Sequence, residues 1–312
     1  MNKQLPNKKT IQKQARIVVL IFLVLVFYIW TTVPKHSAHP PATHGHATID
    51  GMRIHYLDYG KGKEGLVFIH GWACDSSFWR FQVPALQKYR LLLLDLPGHG
   101  KSDKPEIAYT QALLASSVNA VIQDAGINSA VLVGHSMGFP VARQYIRDYP
   151  GIAKALVIVD GAFFRIPKAP QKKAAWGGGF EKFKDNFRGS DSDETVMEFM
   201  DSLFAEQTPL ELRDEIKSKV SLTPQHVAIS VLEGMGDPEV WKEDALTIPT
   251  LAVYAKRPNL PSDNGPYLKQ LFPNLEYYEW NGVGHFLMME MPKKFNRLLT
   301  SFLDAKISSA QQ

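Results

Sequence analysis

The chain of 312 residues contains a single cysteine, Cys74, so it can form no internal disulfide and lacks the ligands of a cysteine-based zinc site. No internal repeat is visible. Acidic residues are missing from the first 49 positions, which hold six basic ones: Lys3, Lys8, Lys9, Lys13, Arg16 and Lys35. The rest carries 29 basic against 31 acidic side chains, a near-neutral body without the clustered positive face of a nucleic-acid binder. What is present is ordinary for a globular protein, with 45% hydrophobic and 21% charged residues, 22 Gly and 20 Pro, which excludes a mainly disordered or collagenous chain.

Long apolar runs are scarce, and one stands apart. Ile17–Val33 holds 17 uncharged residues, enough for a helix of about 25 Å, near the lower limit for crossing a bilayer core. With a basic tail over 1–16 in front of it, the run is expected to be a membrane anchor with a cytoplasmic N-terminus and an extracytoplasmic body. The alternative is a signal peptide that is cleaved to release a secreted protein, but no A-x-A pattern follows the run. Residues 34–47 are rich in Pro and His and read as an extended spacer. Its His36, His39, His44 and His46 lack acidic or cysteine partners and are expected to be solvated rather than metal-bound.

The body alternates short apolar runs with amphipathic stretches, which predicts an α/β fold with a mostly parallel central sheet flanked by helices. Strands are expected at Arg53–Tyr59, Leu66–Ile69, Leu91–Leu94, Val131–Val133, Leu156–Val159, Leu251–Tyr254 and Leu275–Trp280. Helices are expected at Phe78–Gln87, Thr110–Asp124, Phe139–Tyr149 and Pro292–Ala305. The stretch 161–245 breaks the rhythm and reads as a helical lid inserted between two strands, so that 48–160 and 246–312 form the core. The glycine run Gly177–Gly179 within it reads as a lid hinge.

Gly134-His135-Ser136-Met137-Gly138 follows one expected strand and precedes a helix, the strand–turn–helix setting of a nucleophile elbow. Such a turn lifts a serine hydroxyl above the sheet and leaves no room for side chains at its flanking glycines. A serine needs a base. His285, in a Gly-rich loop between the last strand and the last helix, can swing over the elbow. His226, in the lid, and His55, inside an early strand, are worse placed. Gly100-Lys101-Ser102 ends like a phosphate-binding loop, but Asp95 stands where the first glycine of that motif belongs. Gly177–Gly179 likewise lacks the setting of a dinucleotide fingerprint. No metal, nucleotide or redox cofactor is implied.

Taken together, His70-Gly71-Trp72, the stretch Asp95-Leu-Pro-Gly-His-Gly-Lys-Ser-Asp103, the elbow at Ser136 and Gly284-His285-Phe286 make the body resemble the capped, lipase/esterase-like α/β-hydrolases over about residues 48–305. The resemblance implies Ser136 as nucleophile and His285 as general base and acid. It also implies an oxyanion hole from the backbone N–H groups of Trp72 and Met137. The family usually places its third member, an Asp, just after the strand matched by Leu251–Tyr254, but this chain has Pro258 and Asn259 there. Asp160, at a strand end, is the preferred substitute because a strand end is held more rigidly than a Pro-rich loop. Asp263 is the alternative.

The expected activity is hydrolysis of a carboxylic ester, thioester or lactone through an acyl-enzyme, on a small substrate whose acyl or aryl part is apolar. A serine at the elbow argues against the dehalogenase and epoxide-hydrolase branches, which the resemblance gives an Asp there. C–C bond hydrolysis, peracid formation and a non-catalytic ligand-binding role on the same fold remain alternatives.

Overall fold

The computed structural model describes residues 41–189, 192–258 and 260–306. The tail and anchor expected over 1–33 lie outside the described residues, as do His36 and His39 of the spacer. Among the described residues no helix is long and apolar enough to cross a membrane.

Among these residues eight strands form one sheet in the order β1-β2-β4-β3-β5-β6-β7-β8. They are β1 (Thr43–Ile49), β2 (Met52–Tyr59), β3 (Glu64–Ile69), β4 (Leu91–Leu94), β5 (Ser129–His135), β6 (Ala153–Val159), β7 (Thr250–Ala255) and β8 (Leu275–Trp280). From β4 to β8 every neighbour is parallel, while β1 and β2 pair antiparallel at one edge. The central strands are the continuous apolar runs, because helices cover both their faces. All four leucines of β4 are fully buried, as are Leu132 and Val133 of β5 and Ala155–Val159 of β6.

The chain steps from β3 to β4 on one side and then returns to place β5 on the other side of β3. Such a reversal opens a crevice beyond the strands' C-terminal ends, and the loops after β3 and β5 flank it.

Helix α1 (Gln111–Asp124) starts where the Thr110 hydroxyl accepts the Leu113 N–H at 3.1 Å, and it buries Leu114, Val118, Val121 and Ile122 on one face. Helix α2 (Gly138–Asp148) follows the elbow and tolerates Pro140 because that residue sits in its first turn.

Two sequence expectations need correction here. The spacer expected over 34–47 gives way to β1 at Thr43, whose register sets His46 opposite His55. The tight turn at Asp50 and Gly51, with φ of 49° and 78°, has the doubly left-handed geometry that closes a two-residue hairpin and holds this strand in place. The single helix expected at Phe78–Gln87 is instead two short 3₁₀ turns, Ser76–Trp79 and Val83–Ala85. Pro84 has no N–H to continue a helix, and Phe78 and Trp79 are already buried by the first turn.

Between β6 and β7 the chain leaves the sheet for four helices: α3 (Pro170–Asp185), α4 (Ser192–Leu203), α5 (Leu210–Val220) and α6 (Gln225–Met235). Only α6 is well buried, through Val227, Ala228, Val231, Leu232 and Met235; α3 buries Lys184 alone and α4 Met200 alone. The glycine run read as a hinge lies inside α3, where Trp176 and Phe180, one turn apart, stack with ring centroids 5.5 Å apart. Arg143 of α2 fastens the far end of the insertion. Its buried guanidinium bonds to the carbonyls of Val240 and Lys242 and to the Asp244 carboxylate at 2.7 Å.

After β7 come α7 (Asn264–Leu271), β8, a single helical turn α8 (Leu287–Glu290), and α9 (Pro292–Lys306), which buries Phe295, Leu299, Phe302 and Leu303 in the hydrophobic core.

Candidate active site

Ser136 directly follows β5 with φ of 52°, a left-handed conformation that costs a non-glycine residue on the order of 1–3 kcal/mol. Packing imposes it. A Cβ at Gly134 would lie 2.5 Å from the Gly138 carbonyl oxygen, and a Cβ at Gly138 would lie 2.2 Å from the Ile69 oxygen. The two flanking glycines thus let α2 begin directly on top of β3 and β5. Among the described residues four non-glycine residues have positive φ, and Ser136, Asp160 (43°) and Ala73 (55°) are three of them, gathered at the same end of the sheet.

A cavity of about 590 Å³ lies over this end, large enough for a small organic ligand. Its wall is mainly apolar, with Trp72, Phe164, Trp176, Phe180 and Met235 among its residues, and its floor carries Ser136, Asp160, His285 and Arg257.

His285 Nδ1 donates to Asp160 Oδ2 at 2.5 Å. Asp160 is fully buried, and its carboxylate also accepts from the Ala255 N–H at 2.9 Å through Oδ1 and from Arg257 Nη2 at 2.7 Å through Oδ2. Three donors, one from the last residue of β7 and two from loops, meet the carboxylate, which in turn orients the ring. With Nδ1–H committed to Asp160, Nε2 carries the lone pair that a base needs.

Asp263, the alternative acid, is elsewhere. It is exposed and both its oxygens accept from Arg165 Nη1 at 2.8 Å, which holds its carboxyl below the usual carboxylate range. It stands at the start of α7 without capping it.

Ser136 and His285 share the cavity, but no hydrogen bond joins the serine hydroxyl to the imidazole in this structure. Loose nucleophile–base contacts are common before substrate binds. The N–H groups of Trp72 and Met137 find no acceptor among the described residues, and both residues line the cavity. The Trp72 loop is held from below. His70 Nδ1 donates to the Gly71 carbonyl at 2.8 Å while its Nε2 accepts the Leu96 N–H at 2.9 Å, an arrangement that needs the neutral ring. Burial keeps it so by pushing the His70 pKa down.

Two contributors escaped the sequence reading. His135, the variable residue of the elbow motif, is buried and donates through Nε2 to the His285 carbonyl at 3.0 Å, tying the elbow to the histidine loop. Burial first, and the nearby His285 second, push its pKa well below the ordinary value, so it stays neutral. Arg257 sits in the loop where the resemblance expects an acid, and its charge was the only signal it gave. The insertion also holds the histidine loop: His285 N–H donates to the Leu203 carbonyl at 2.8 Å, and Glu290 accepts from both the Gly284 N–H and the Thr208 hydroxyl.

The other titratable groups nearby are spoken for. His55 is buried outside the cavity and donates to Asp95 at 2.8 Å. Burial alone would raise the Asp95 carboxyl, but hydrogen bonds from His55 and from the N–H groups of Lys101 and Ser76 overcome it and hold the pKa low. Asp95 thereby shapes the Gly-rich turn behind the site. The Cys74 thiol reaches the cavity, but burial pushes its pKa up, so it is no competing thiolate.

A crevice at the reversal of a parallel sheet, holding a strained serine at a strand-to-helix turn and a buried Asp–His pair, is the architecture of an α/β-hydrolase. The family model for the alpha/beta hydrolase fold matches residues 65–292, and the chain belongs to that family of hydrolases. It is 26% identical over 265 residues to the AB hydrolase superfamily protein YisY of Bacillus subtilis, spanning 82% of this chain and 97% of that protein. It is also 26% identical to a 2-hydroxy-6-oxononadienedioate/2-hydroxy-6-oxononatrienedioate hydrolase of Paraburkholderia phymatum, over 81% of this chain and 91% of that one. Among solved structures, Est816, described as an N-acyl homoserine lactone degrading enzyme, matches with a TM-score of 0.70 at 26% identity, over 83% of this chain and 100% of its own.

Proposed function

We propose that the protein is a serine hydrolase that cleaves a carboxylic ester, thioester or lactone. His285 Nε2 takes the proton of Ser136 Oγ as the oxygen attacks the substrate carbonyl, and Asp160 stabilises the imidazolium that forms. The oxyanion accepts hydrogen bonds from the N–H groups of Trp72 and Met137, each worth about 3 kcal/mol when aimed at the tetrahedral oxygen. The protonated ring then gives its proton to the leaving alcohol, thiol or ring oxygen. Water, activated by the same ring, releases the acid from Ser136. The helices of 161–245 act as the lid, and their aromatic side chains receive the apolar part of the substrate.

The single observation that carries this reading is the contact between His285 and the buried Asp160 beside a serine with positive φ, in one apolar cavity. A panel of short- and medium-chain esters and lactones tests it. Turnover by the wild type and its loss in Ser136→Ala is the expected result, whereas turnover that survives Ser136→Ala refutes the assignment. C–C bond hydrolysis is a second reading, favoured by the 26% identity to the Paraburkholderia hydrolase; it uses the same serine and is tested with an oxo-dienoate substrate. Residues 17–33 are proposed to anchor this hydrolase in a membrane with the catalytic body on the extracytoplasmic side. Digestion of the body by protease added to intact cells is expected, and full protection would reverse that orientation.

A further inference from the structure

Arg257 is used at one corner only. Its Nη2 reaches Asp160 Oδ2 at 2.7 Å, while Nε and Nη1 make no hydrogen bond among the described residues, and Nε is buried. The side chain is 22% exposed, and the residue lines the cavity together with Ser136 and His285. It is also the only lysine or arginine that does so among the described residues. A guanidinium presents its donors as a planar fork suited to a carboxylate, and a half-used fork in an apolar cavity lacks an acceptor. If Arg257 only braced Asp160, nothing would require it to face the substrate, since the Ala255 N–H already holds the other carboxylate oxygen at 2.9 Å.

We propose that Arg257 recognises a carboxylate on the substrate, so that the preferred substrates are esters or lactones whose apolar body also carries an anionic group. This rests on the serine-hydrolase reading and names the substrate class for the same site. An apolar wall and one cation select molecules that are greasy along their length and negative at one point. Binding the carboxylate also gives an acceptor to Nη1, which makes no hydrogen bond among the described residues and, unlike Nε, is not buried.

The experiment compares monomethyl esters of straight-chain dicarboxylic acids, from succinic to sebacic, with the matching dimethyl esters. Rates of methanol release are measured for the wild type, Arg257→Gln and Arg257→Lys. At the best chain length the wild type is expected to show kcat/KM at least about 10-fold higher for the monoester than for the diester. In Arg257→Gln the ratio falls to about one or below, and Arg257→Lys keeps part of it. The diester rate carries whatever the substitution does to Asp160, so the ratio isolates recognition from support of the triad. A wild-type ratio at or below one at every length, or a preference that survives Arg257→Gln, overturns the proposal. Calorimetric binding of the monoesters to Ser136→Ala, with and without Arg257→Gln, provides a readout free of turnover. Arg257-dependent binding with no wild-type turnover of any ester sinks the hydrolase reading and leaves the recognition role standing. Diester turnover without monoester preference does the reverse.

Discussion

The sheet and the helical insertion are built to opposite specifications. In β4, β5 and β6 nearly every side chain is buried, and the loops at their ends are pinned by several hydrogen bonds each. In α3 and α4 one side chain apiece is buried, and the large aromatic residues there face the cavity half-exposed. Reacting groups must be held within a fraction of an ångström, which a close-packed parallel sheet can do. A wall that admits and releases substrate needs the opposite, a layer that is cheap to move. On the proposed function, the chemistry belongs to the sheet side and the apolar part of the substrate to the insertion, with Arg257 lining the same cavity.

The largest break in this contrast is expected on the sheet side. Asp160→Asn keeps the shape but removes the charge and lets the His285 ring take the wrong tautomer, so kcat should fall about 10⁴-fold. Asp263→Asn, which removes an exposed pair with Arg165, should leave kcat within about two-fold. Steady-state kinetics of the two variants on one ester decide it, and a large loss confined to Asp263→Asn would transfer the acid's role there.

A smaller effect sharpens the comparison through pH. His70, His99 and His135 are all buried beneath the C-terminal edge of the sheet, and burial pushes each pKa down, that of His99 to about 3. Below about pH 6.5 the unfolded chain takes up protons at these residues that the folded one does not, so stability is full above 6.5 and falls as the pH drops. Each ring that remains neutral in the fold removes roughly 1.4 kcal/mol per pH unit once its unfolded counterpart is charged. The thermal midpoint should therefore decline between pH 7.5 and 5.5, and a flat profile would mean that these rings protonate in place.

The smallest effect belongs to the insertion. Gly178 is exposed within α3, and a Cβ there would meet nothing within 4 Å. Gly178→Ala should stabilise by about 0.5–1 kcal/mol, seen as slower proteolysis within the insertion, with kcat unchanged. A drop in kcat instead would mean that the glycine bends during turnover.

How far the sequence reads depends on how local each signal is. The elbow and the strands around it were legible because continuous apolar runs and two sterically required glycines encode them within a few residues. Strand β1 was hidden because Thr43–Ile49 alternates polar and small residues inside a stretch rich in His and Pro, although Asp50-Gly51 is a hairpin signal in itself. Gly177–Gly179 disguised a helix held by the stacked rings of Trp176 and Phe180. The strand-end argument pointed to Asp160, and that carboxylate does contact His285. The tie from His135 to the His285 loop and the half-used fork of Arg257 arise from contacts across 150 and 97 positions of chain, which no local pattern announces.

The central claim is that Ser136 is a nucleophile activated by the His285–Asp160 pair. Mass spectrometry after treatment with a fluorophosphonate probe tests it most directly. The expected result is one adduct, on the peptide that contains Ser136, absent from Ser136→Ala and formed far more slowly in Asp160→Asn. An adduct on another residue, or equal labelling of wild type and His285→Ala, would contradict it.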